Sequence, residues 1–439
     1  MRHLTIIWLL LVLLAGCSGD SEQTILAYNA LGRGQHLNLV VNGYIVGIEK
    51  YPREKIGDPE PGYPDKFKLL PNPNNNKLIS EQNQEFVKAT SNPKAMLVTQ
   101  VVSYFPDRSN HYVRNYLYNA YSSSLEGDKN YKEGYEALRK LKYDLKTRLI
   151  KAYQAGKPYT HLIIMSMGWN NDQYVSIDRY NRILENLNKM ASTEGDNTFR
   201  PLVIGITWPS AWFTISDSWL WKKIVGHIGS YTNKSNDADE IGYTIINWLI
   251  NHQLPDIKQA VGKAVLPKVV AIGHSMGARL LSRAIFSKEY LKDPPSTSVD
   301  PVDIFIGLQG AFSARRFVAT DSIEGAPYAN YKLLRTTIIL TSSENDKANP
   351  SAFWSKHVGG KNGLVYMRKH PEVFDVFIWR KQKKQVEAAI QKYIDNKKII
   401  ALDVKEIVTG TDAHNDILDM DIAELIWFCL NKMPKDNKT

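Results

Sequence analysis

Several features that mark other classes of protein are scarce in this chain of 439 residues. Only two cysteines occur, at positions 17 and 429. No internal repeat is visible. The only long hydrophobic run lies at the N-terminus, and the lack of further runs argues against a multi-span membrane protein. The formal net charge is +10, but it is spread along the chain without an Arg-rich or aromatic-interleaved stripe. Nucleic acid is therefore not expected as a partner.

The composition, 43% hydrophobic and 23% charged, is that of an ordinary globular protein. The N-terminus is the exception. Arg2 precedes an apolar run over residues 4–14, which is too short to span a bilayer as a mature helix and has the layout of a signal peptide. We expect residues 1–16 to be removed, residues 17–30 to form a tether, and residues 31–436 to form one folded domain.

The end of this signal resembles the bacterial lipobox. It reads Leu-Ala-Gly-Cys at residues 14–17, and the resemblance implies cleavage before Cys17 and attachment of lipid to its sulfur and new N-terminus. An ordinary secretory signal with an incidental Cys17 is the alternative. Several acyl chains would anchor the protein stably to a membrane, and Ser18 favours the outer membrane by the same resemblance. Cys429 would then be the only free thiol, in an apolar helical pattern typical of a buried position.

The centre of the sequence carries a strand-turn-helix signal. Residues 269–272 form a β-branched apolar run typical of a buried strand, and residues 278–285 repeat apolar side chains at helical spacing. Between them, residues 273–277 read G-H-S-M-G, which fits the nucleophile elbow G-x-S-x-G. Cβ atoms at positions 273 and 277 would come too close to the neighbouring chain. The motif predicts Ser275 as a nucleophile and the backbone N–H of Met276 as an oxyanion donor.

Strands and helices alternate along most of the chain, which predicts an α/β fold with a mostly parallel central sheet covered by helices on both faces. A hairpin is expected around residues 37–48, and residues 52–76 are rich in proline and asparagine and predict a loop. Further strands are predicted at residues 95–104, 161–168, 201–207, 302–308, 336–341 and 398–408. Further helices are predicted at residues 131–155, 178–190, 241–250, 385–394 and 417–430.

From about residue 161 onward, the chain resembles the α/β-hydrolase superfamily. The resemblance is carried by the elbow, by the order of Ser275, Asp346 and His414 along the chain, and by the turn at residues 167–170. It implies a triad in which His414 accepts the proton of Ser275 while Asp346 orients the imidazole. It also implies that the backbone N–H of Trp169 is a second oxyanion donor.

Four short segments narrow the resemblance to a bacterial, esterase-like group whose members mostly lack assigned substrates. They read G-W-N-N at residues 168–171, T-W-P-S at 207–210, G-H-S-M-G at 273–277 and L-Q-G-A-F-S at 308–313. That group often has a histidine before the glycine of the first segment, where this chain has Met167. Met167 cannot supply an imidazole at that position, whereas the backbone N–H role of the turn does not depend on this side chain.

Other polar residues compete for the proposed roles. Glu344 lies two residues before Asp346 on the same turn and remains an alternative acid. The sharp turn is expected to direct the His274 side chain away from the nucleophile, which favours a structural role. Four aspartates are interpreted as strand-start, surface or helix-cap residues, namely Asp303, Asp403, Asp412 and Asp416. Two more histidines lie in a predicted insertion, His357 and His370. The acids at positions 412, 416, 419 and 421 do not have the spacing of an EF-hand calcium loop.

Residues 52–93, 208–236 and 348–384 are predicted to be loop or cap insertions. The second of these is rich in tryptophan and is interpreted as an acyl pocket or lid, or alternatively as plain cap packing. Basic residues at 380–384 are interpreted mainly as a solvated face, with a membrane contact as the alternative. Together the motifs and the two resemblances imply a lipid-anchored serine hydrolase acting on an ester, without metal or cofactor. A lipase or phospholipase acting on membrane lipids and a non-catalytic binding lipoprotein with the hydrolase fold are the alternatives.

Overall fold

The computed structural model describes residues 37–53, 69–72, 76–106, 112–121, 130–168, 171–210, 226–262, 264–287, 300–318, 328, 331–346, 356–409 and 413–433. The predicted signal peptide, Cys17 and the tether lie outside these residues. None of the helices within these ranges combines the length and the apolar composition needed to cross a bilayer.

One sheet of ten strands organises the described residues. The strands are β1 Gly43–Pro52, β2 Lys94–Pro106, β3 Tyr112–Asn119, β4 His161–Ser166, β5 Pro201–Thr207, β6 Lys268–His274, β7 Ile304–Leu308, β8 Thr337–Ser342, β9 Phe374–Ile378 and β10 Ile399–Asp403. Their order is β3-β2-β1-β5-β4-β6-β7-β8-β10-β9. From β1 to β9 in this order all neighbours are parallel, whereas β2 is antiparallel to both β1 and β3. The predicted α/β fold with a mostly parallel sheet is confirmed, and it is consistent with an α/β-hydrolase architecture.

Helices cover the sheet. They are α1 Lys77–Thr90, α2 Tyr131–Gln154, α3 Gln173–Thr193, α4 Gly226–Tyr243, α5 Ile245–Trp248, α6 Leu254–Val261, α7 Met276–Phe286, α8 Lys361–Arg368, α9 Lys383–Gln391, α10 Tyr393–Asn396 and α11 Met420–Lys432. All residues of β4 and β5 are buried, so both faces of the sheet centre are covered. Helix α11 packs against α3, and α4 packs against α7.

Local sequence explains where two of the long helices begin. The side chain of Asn130 accepts a hydrogen bond from the backbone N–H of Glu133 and caps α2, whose leucine stripe at positions 138, 141, 145 and 149 is buried. Asp172 caps α3 in the same way by accepting from the backbone N–H of Val175. Burial of one leucine side chain contributes about 1.5–3 kcal/mol. These caps fix the start of each helix, and for α3 that point follows directly on the turn at residues 167–171.

The predicted hairpin at residues 37–48 is wrong. A single strand, β1, begins at Gly43 and joins the sheet between β2 and β5. The Asn-Gly pair does not form a hairpin turn because Asn42 is already bonded elsewhere. Its backbone oxygen accepts from Val203 N at 3.0 Å, and its side-chain amide donates to the Tyr159 hydroxyl at 2.7 Å. The pair instead leads the chain into the sheet.

All three predicted insertions contain regular structure, since α4 begins within residues 208–236. Helix α1 lies within residues 52–93, and α8 and β9 lie within residues 348–384. Strand β9 pairs with β10 and extends the sheet by one strand, so this part is not a loop. The helix predicted at 241–250 begins earlier as α4, is interrupted at Thr244, and continues through a π-helical segment at Leu249–Gln253. The last predicted strand ends at Asp403.

The core runs continuously through the sheet and its helices. Cys429 lies in it, fully buried as predicted, and burial raises the pKa of its thiol well above the usual value. A buried, protonated thiol is a poor nucleophile. Cys429 therefore has a packing role.

Candidate active site

The turn between β6 and α7 has the backbone strain that a nucleophile elbow requires. Ser275 has φ 55° and ψ −120°, outside the conformations that a residue with a side chain normally adopts. A Cβ atom at Gly277 would lie 2.0 Å from the backbone oxygen of Ser166 at the end of β4. One at Gly273 would lie 2.4 Å from Ala278 Cα. The prediction that both positions lack room for a side chain is confirmed.

The neighbouring strand holds this turn in place. The backbone N–H of Ser275 donates to Leu308 O at 3.0 Å, and Ala311 N donates to Ser275 O at 2.9 Å. Gln309 between them also has a positive φ, of 40°. The segment at residues 308–313 is therefore the wall against which the elbow is fixed. These hydrogen bonds offset part of the cost of the strained serine, which is on the order of 1–3 kcal/mol.

The structure brings Asp346 and His414 together. Asp346 follows β8, and His414 lies in the 3-10 turn Ala413–Leu418 beyond β10. Asp346 Oδ2 and His414 Nδ1 are 2.8 Å apart, with 6% of the aspartate and 19% of the histidine side chain exposed. An ionised carboxylate only accepts, so Nδ1 carries the proton in this pair. The other ring nitrogen, Nε2, then has a lone pair available as a base.

The competing acid lies elsewhere on the same turn. Glu344 is exposed and pairs with Lys405 at 3.2 Å. Asn345 between the two acids is anchored, because its side-chain amide donates to Val408 O at 2.9 Å and to Lys405 O at 3.1 Å. This anchoring points Asp346 toward His414 and leaves Glu344 on the surface.

His414 lies beside the elbow. Its backbone oxygen is 2.9 Å from Nε2 of His274, the residue before Ser275, and the two imidazole rings are 4.5 Å apart between centroids. Ser275 itself is 4% exposed. The three residues of the predicted triad thus lie at the same edge of the sheet, on turns that follow β6, β8 and β10. His274 is buried, as expected for a structural residue.

The turn at residues 167–171 packs directly on the serine side chain. A Cβ atom at Gly168 would lie 2.5 Å from Ser275 Cβ and 3.0 Å from Ser275 Oγ. Only a glycine leaves room there, and the backbone at Gly168 can therefore come close to the Ser275 hydroxyl. Trp169, the predicted second oxyanion donor, lies outside the described residues. Met276, the first donor, is the first residue of α7.

The T-W-P-S segment explains how that turn is held. Trp208 Nε1 donates to Met167 O at 3.1 Å. Ser210 Oγ donates to Asn171 O at 2.7 Å and accepts from Asn171 N at 3.1 Å. The Asn171 amide in turn donates to Gly168 O at 2.8 Å. Trp208, Ser210 and Asn171 are thus supports of the turn, a role that the sequence alone did not assign to them.

Sequence reasoning missed a buried ionic network around α4. This set of paired side chains is referred to below as the ionic network. Its acids are Asp237, Asp239 and Glu240, and its bases are Lys50, Arg53, Lys234, Arg279, Arg283 and Arg316. One end reaches the active-site edge, where Lys234 Nζ donates to Pro209 O at 2.7 Å. The same lysine pairs with Asp237, which also pairs with Lys50 at 3.0 Å.

The other end of the ionic network lies against the elbow helix α7. Asp239 pairs with Arg279 at 2.6 Å, with Arg316 at 3.1 Å and with Arg283 at 3.5 Å. Burial alone would raise the pKa of the Asp239 carboxyl. The three guanidinium groups outweigh burial and hold its pKa well below the usual value. Asp239 therefore remains ionised.

The remaining candidates have structural partners. Asp303 accepts from Val269 N, and Asp403 pairs with Arg368. Asp416 accepts from Thr409 N. His370 bonds Glu372, and His357 is buried. Within the described ranges, no group of His, Cys, Asp and Glu side chains could hold a metal ion.

Three other predictions concern Asp412, the tryptophan-rich segment and the basic residues at 380–384. Asp412 and residues 211–225, which include most of the tryptophan-rich segment, lie outside the described residues; Trp208 is buried. The basic residues Arg380, Lys381 and Lys383 pair with acids of neighbouring elements. Pairs of this kind between partly exposed side chains are typical of a solvated protein surface.

Comparison with known proteins gives little further information. No protein-family model matches the sequence, and no curated protein matches it. Among solved structures, the product of the gene lin2722 from Listeria innocua matches with 10% identity and a TM-score of 0.32, over 64% of this chain and 96% of that one. A likeness this distant transfers no function, and the α/β fold rests on the sheet topology itself.

Proposed function

We propose that this protein is a serine hydrolase that cleaves a carboxylic ester through an acyl-enzyme on Ser275. The observation that carries the proposal is the 2.8 Å hydrogen bond between Asp346 Oδ2 and His414 Nδ1. It joins two turns at the same edge of the sheet as the strained Ser275. A carboxylate, an imidazole and a serine on three converging turns form the combination that activates a hydroxyl for attack.

Each group has a defined task in the proposed reaction. Nε2 of His414 accepts the proton of Ser275 Oγ as that oxygen attacks the ester carbonyl, and Asp346 stabilises the resulting imidazolium. The tetrahedral intermediate collapses as His414 gives the proton to the leaving alcohol. Water, activated by His414, then attacks the acyl-enzyme and releases the acid and free Ser275. The reaction as proposed uses no metal or organic cofactor.

The oxyanion of the intermediate would be held by backbone N–H groups. Met276 supplies one at the first position of α7, where helix geometry leaves the N–H without an intrahelical acceptor. By the resemblance described above, Trp169 would supply the second, beside the Gly168 position that packs on Ser275. Each such donor contributes about 3–4 kcal/mol to stabilisation of the transition state in enzymes of this type.

The lipobox-like N-terminus supports a lipid-anchored enzyme of the bacterial cell envelope, with the outer membrane as the expected site. The membrane would then be a partner through the lipid on Cys17. Ester substrates are proposed on the resemblance to esterase-like proteins, and an enzyme acting on membrane lipids is the second candidate. A lipid anchor favours that candidate because it would keep the active site close to phospholipid esters.

A panel of p-nitrophenyl esters graded by acyl length tests the proposal. We expect hydrolysis by the wild-type protein and loss of turnover in both Ser275→Ala and His414→Ala. Preference for short acyl chains supports a carboxylesterase, whereas activity confined to long chains or to phospholipid vesicles supports the second candidate. Ser282→Ala is a matched control, because Ser282 is buried on the same helix and bonds Arg279 O and the Tyr328 hydroxyl. Equal turnover by Ser275→Ala and wild type would refute the proposal.

A further inference from the structure

His274 stands between the two proposed catalytic elements. It precedes Ser275 on the elbow, and its Nε2 lies 2.9 Å from the backbone oxygen of His414. A carbonyl oxygen can only accept a hydrogen bond, so Nε2 must carry the proton. Nδ1 is buried and has no hydrogen-bond partner among the described residues, as expected for the unprotonated nitrogen of a neutral ring. The ring therefore offers one polar contact, and that contact is directed at the proposed base.

The surroundings of His274 keep it neutral. Burial lowers the pKa of its imidazole well below the usual value, and the neighbouring His414 and Arg179 lower it further. A neutral ring can face the imidazolium that forms on His414 during proton transfer without repelling it. The contact is thus available throughout the proposed reaction.

The turn that carries His414 is also held by hydrogen bonds from α3. Arg179 Nη1 donates to Asn415 Oδ1 at 2.7 Å, and Asn186 Nδ2 donates to Leu418 O at 2.9 Å. Both donors lie on α3, and both hold residues that follow His414 in sequence. The bond from His274 is made to the main chain of His414 itself. It also runs from the element that carries the nucleophile, and so relates the base directly to the serine.

We propose that His274 is a positioning residue for His414, and this inference rests on the proposed hydrolase function. Its Nε2–H fixes the main chain of His414 relative to the elbow, so that one imidazole can contact Asp346 through Nδ1 and face Ser275 through Nε2. A displacement of about 1 Å in a catalytic group can lower a rate by about 10²-fold. A single directional hydrogen bond between the two elements can limit such displacement.

Two substitutions separate the hydrogen bond from the packing of the ring. His274→Phe keeps a flat ring in the same space but removes the N–H donor. His274→Gln replaces the ring with a side-chain amide whose N–H can reach a similar distance. We expect His274→Phe to lower kcat by about 10- to 100-fold with KM changed less than about threefold, because positioning and not binding is lost. His274→Gln should recover most of kcat.

His161→Phe is the matched control. His161 is also a buried histidine. It is the first residue of β4, at the end of the strand opposite to the elbow, and its ring centroid lies 5.3 Å from that of Phe199. The same substitution there should leave kcat within about twofold. Thermal unfolding of each variant reports on folding. Should His274→Phe fail to fold, His274→Gln and His274→Asn replace it, because the shorter asparagine amide cannot reach the His414 oxygen.

The inference fails if His274→Phe keeps the kcat of the wild type, or if the glutamine variant is as slow as the phenylalanine or asparagine variant. The ring would then be plain packing. Failure of the hydrolase proposal would look different: turnover by Ser275→Ala would equal that of the wild type whatever residue occupies position 274. Both sets of variants are therefore assayed with the same ester.

Discussion

Two buried polar regions of this protein differ in how their charges are held. At the carboxyl edge of the sheet, His414 is 19% exposed and contacts Asp346 and His274 through one hydrogen bond each. In the ionic network around α4, Lys234 and Asp237 are fully buried, and each acid of the network faces at least one cationic group. In the proposed mechanism the first region presents groups to a reactant, whereas the second joins α4 to the sheet and to the elbow helix.

The two regions are expected to matter for different properties, the first for the proposed activity and the second for the stability of the fold. The side chain of His414, the most exposed of the three at 19%, can be removed at little cost in stability, since water can replace it as a partner. Removal of one member of a buried ionic group leaves the others uncompensated in a poorly polarisable interior, at a cost of about 3–5 kcal/mol. Substitutions in the first region should therefore lower turnover with little change in the free energy of unfolding. Substitutions in the ionic network should lower the free energy of unfolding without removing a group that the proposed reaction uses.

The largest effect is expected from Ser275→Ala. Loss of the nucleophile should lower kcat by about 10⁵- to 10⁶-fold, since the acyl-enzyme cannot form. The free energy of unfolding, measured by urea titration, should change by less than about 1 kcal/mol, because alanine fits the same space. A variant that retains a tenth of the wild-type kcat would place the nucleophile elsewhere.

The acid gives the next largest effect. In Asp346→Asn the amide can no longer stabilise an imidazolium, and kcat should fall by about 10⁴-fold, as in serine proteases. Glu344→Gln removes the exposed neighbour that pairs with Lys405, and kcat should stay within about threefold of the wild type. Steady-state kinetics on one ester compares the two directly. The reverse result would make Glu344 the acid.

In the ionic network, Asp239→Asn should destabilise the protein without removing a catalytic group. Three guanidinium groups lose their shared counter-charge, and we expect the free energy of unfolding to fall by about 3–5 kcal/mol. Glu424→Gln, which breaks a half-exposed pair with Lys383, is the control and should cost less than about 1 kcal/mol. Equal stability of the two variants in urea would mean that the buried network contributes no more than a surface pair.

The smallest effect concerns Glu240 and pH. Burial raises the pKa of its carboxyl from 4.5 to about 7. The Arg53 guanidinium lowers this pKa, and the nearby Asp237 carboxylate raises it. The folded protein thus binds a proton that the unfolded chain releases. The stability from this group is fully present below about pH 4.5 and is lost as the pH rises through about 7, by about 3 kcal/mol in all.

Glu240→Gln should therefore flatten the stability profile over that range. Urea titrations of wild type and variant at several pH values give the difference directly, which removes the contribution of groups common to both. A difference between wild type and Glu240→Gln that does not vary with pH would contradict the shifted pKa.

Sequence pattern predicted the strands of the second half of the sheet well, apart from β9. Strands such as β6 and β8 are short apolar runs buried on both faces, so their composition alone distinguishes them from the surface. The step from β6 to α7 changes period within a few residues. The turns that carry Ser275, Asp346 and His414 follow such strands, which is why the residues of the predicted triad could be named from the sequence.

Other elements gave no such signal. The edge strand β3 is partly exposed and carries Arg114 and Asn115, so its composition does not distinguish it from a loop. The residues of α4 before Ile241 are mostly polar, and the sequence predicted no helix there. Within this part, Asp237 and Asp239 are buried because their charges pair with β1, α7 and the 3-10 segment Ala314–Phe317. Pairing between such distant positions cannot be read from local periodicity.

Labelling with a fluorophosphonate probe, followed by peptide mapping, tests the central claim most directly. We expect one adduct on the folded wild-type protein, located on the peptide that contains Ser275. We expect no adduct in Ser275→Ala and an undiminished adduct in Ser282→Ala. Absence of any adduct on folded wild type, or an adduct that survives in Ser275→Ala, would contradict the assignment of Ser275 as the nucleophile.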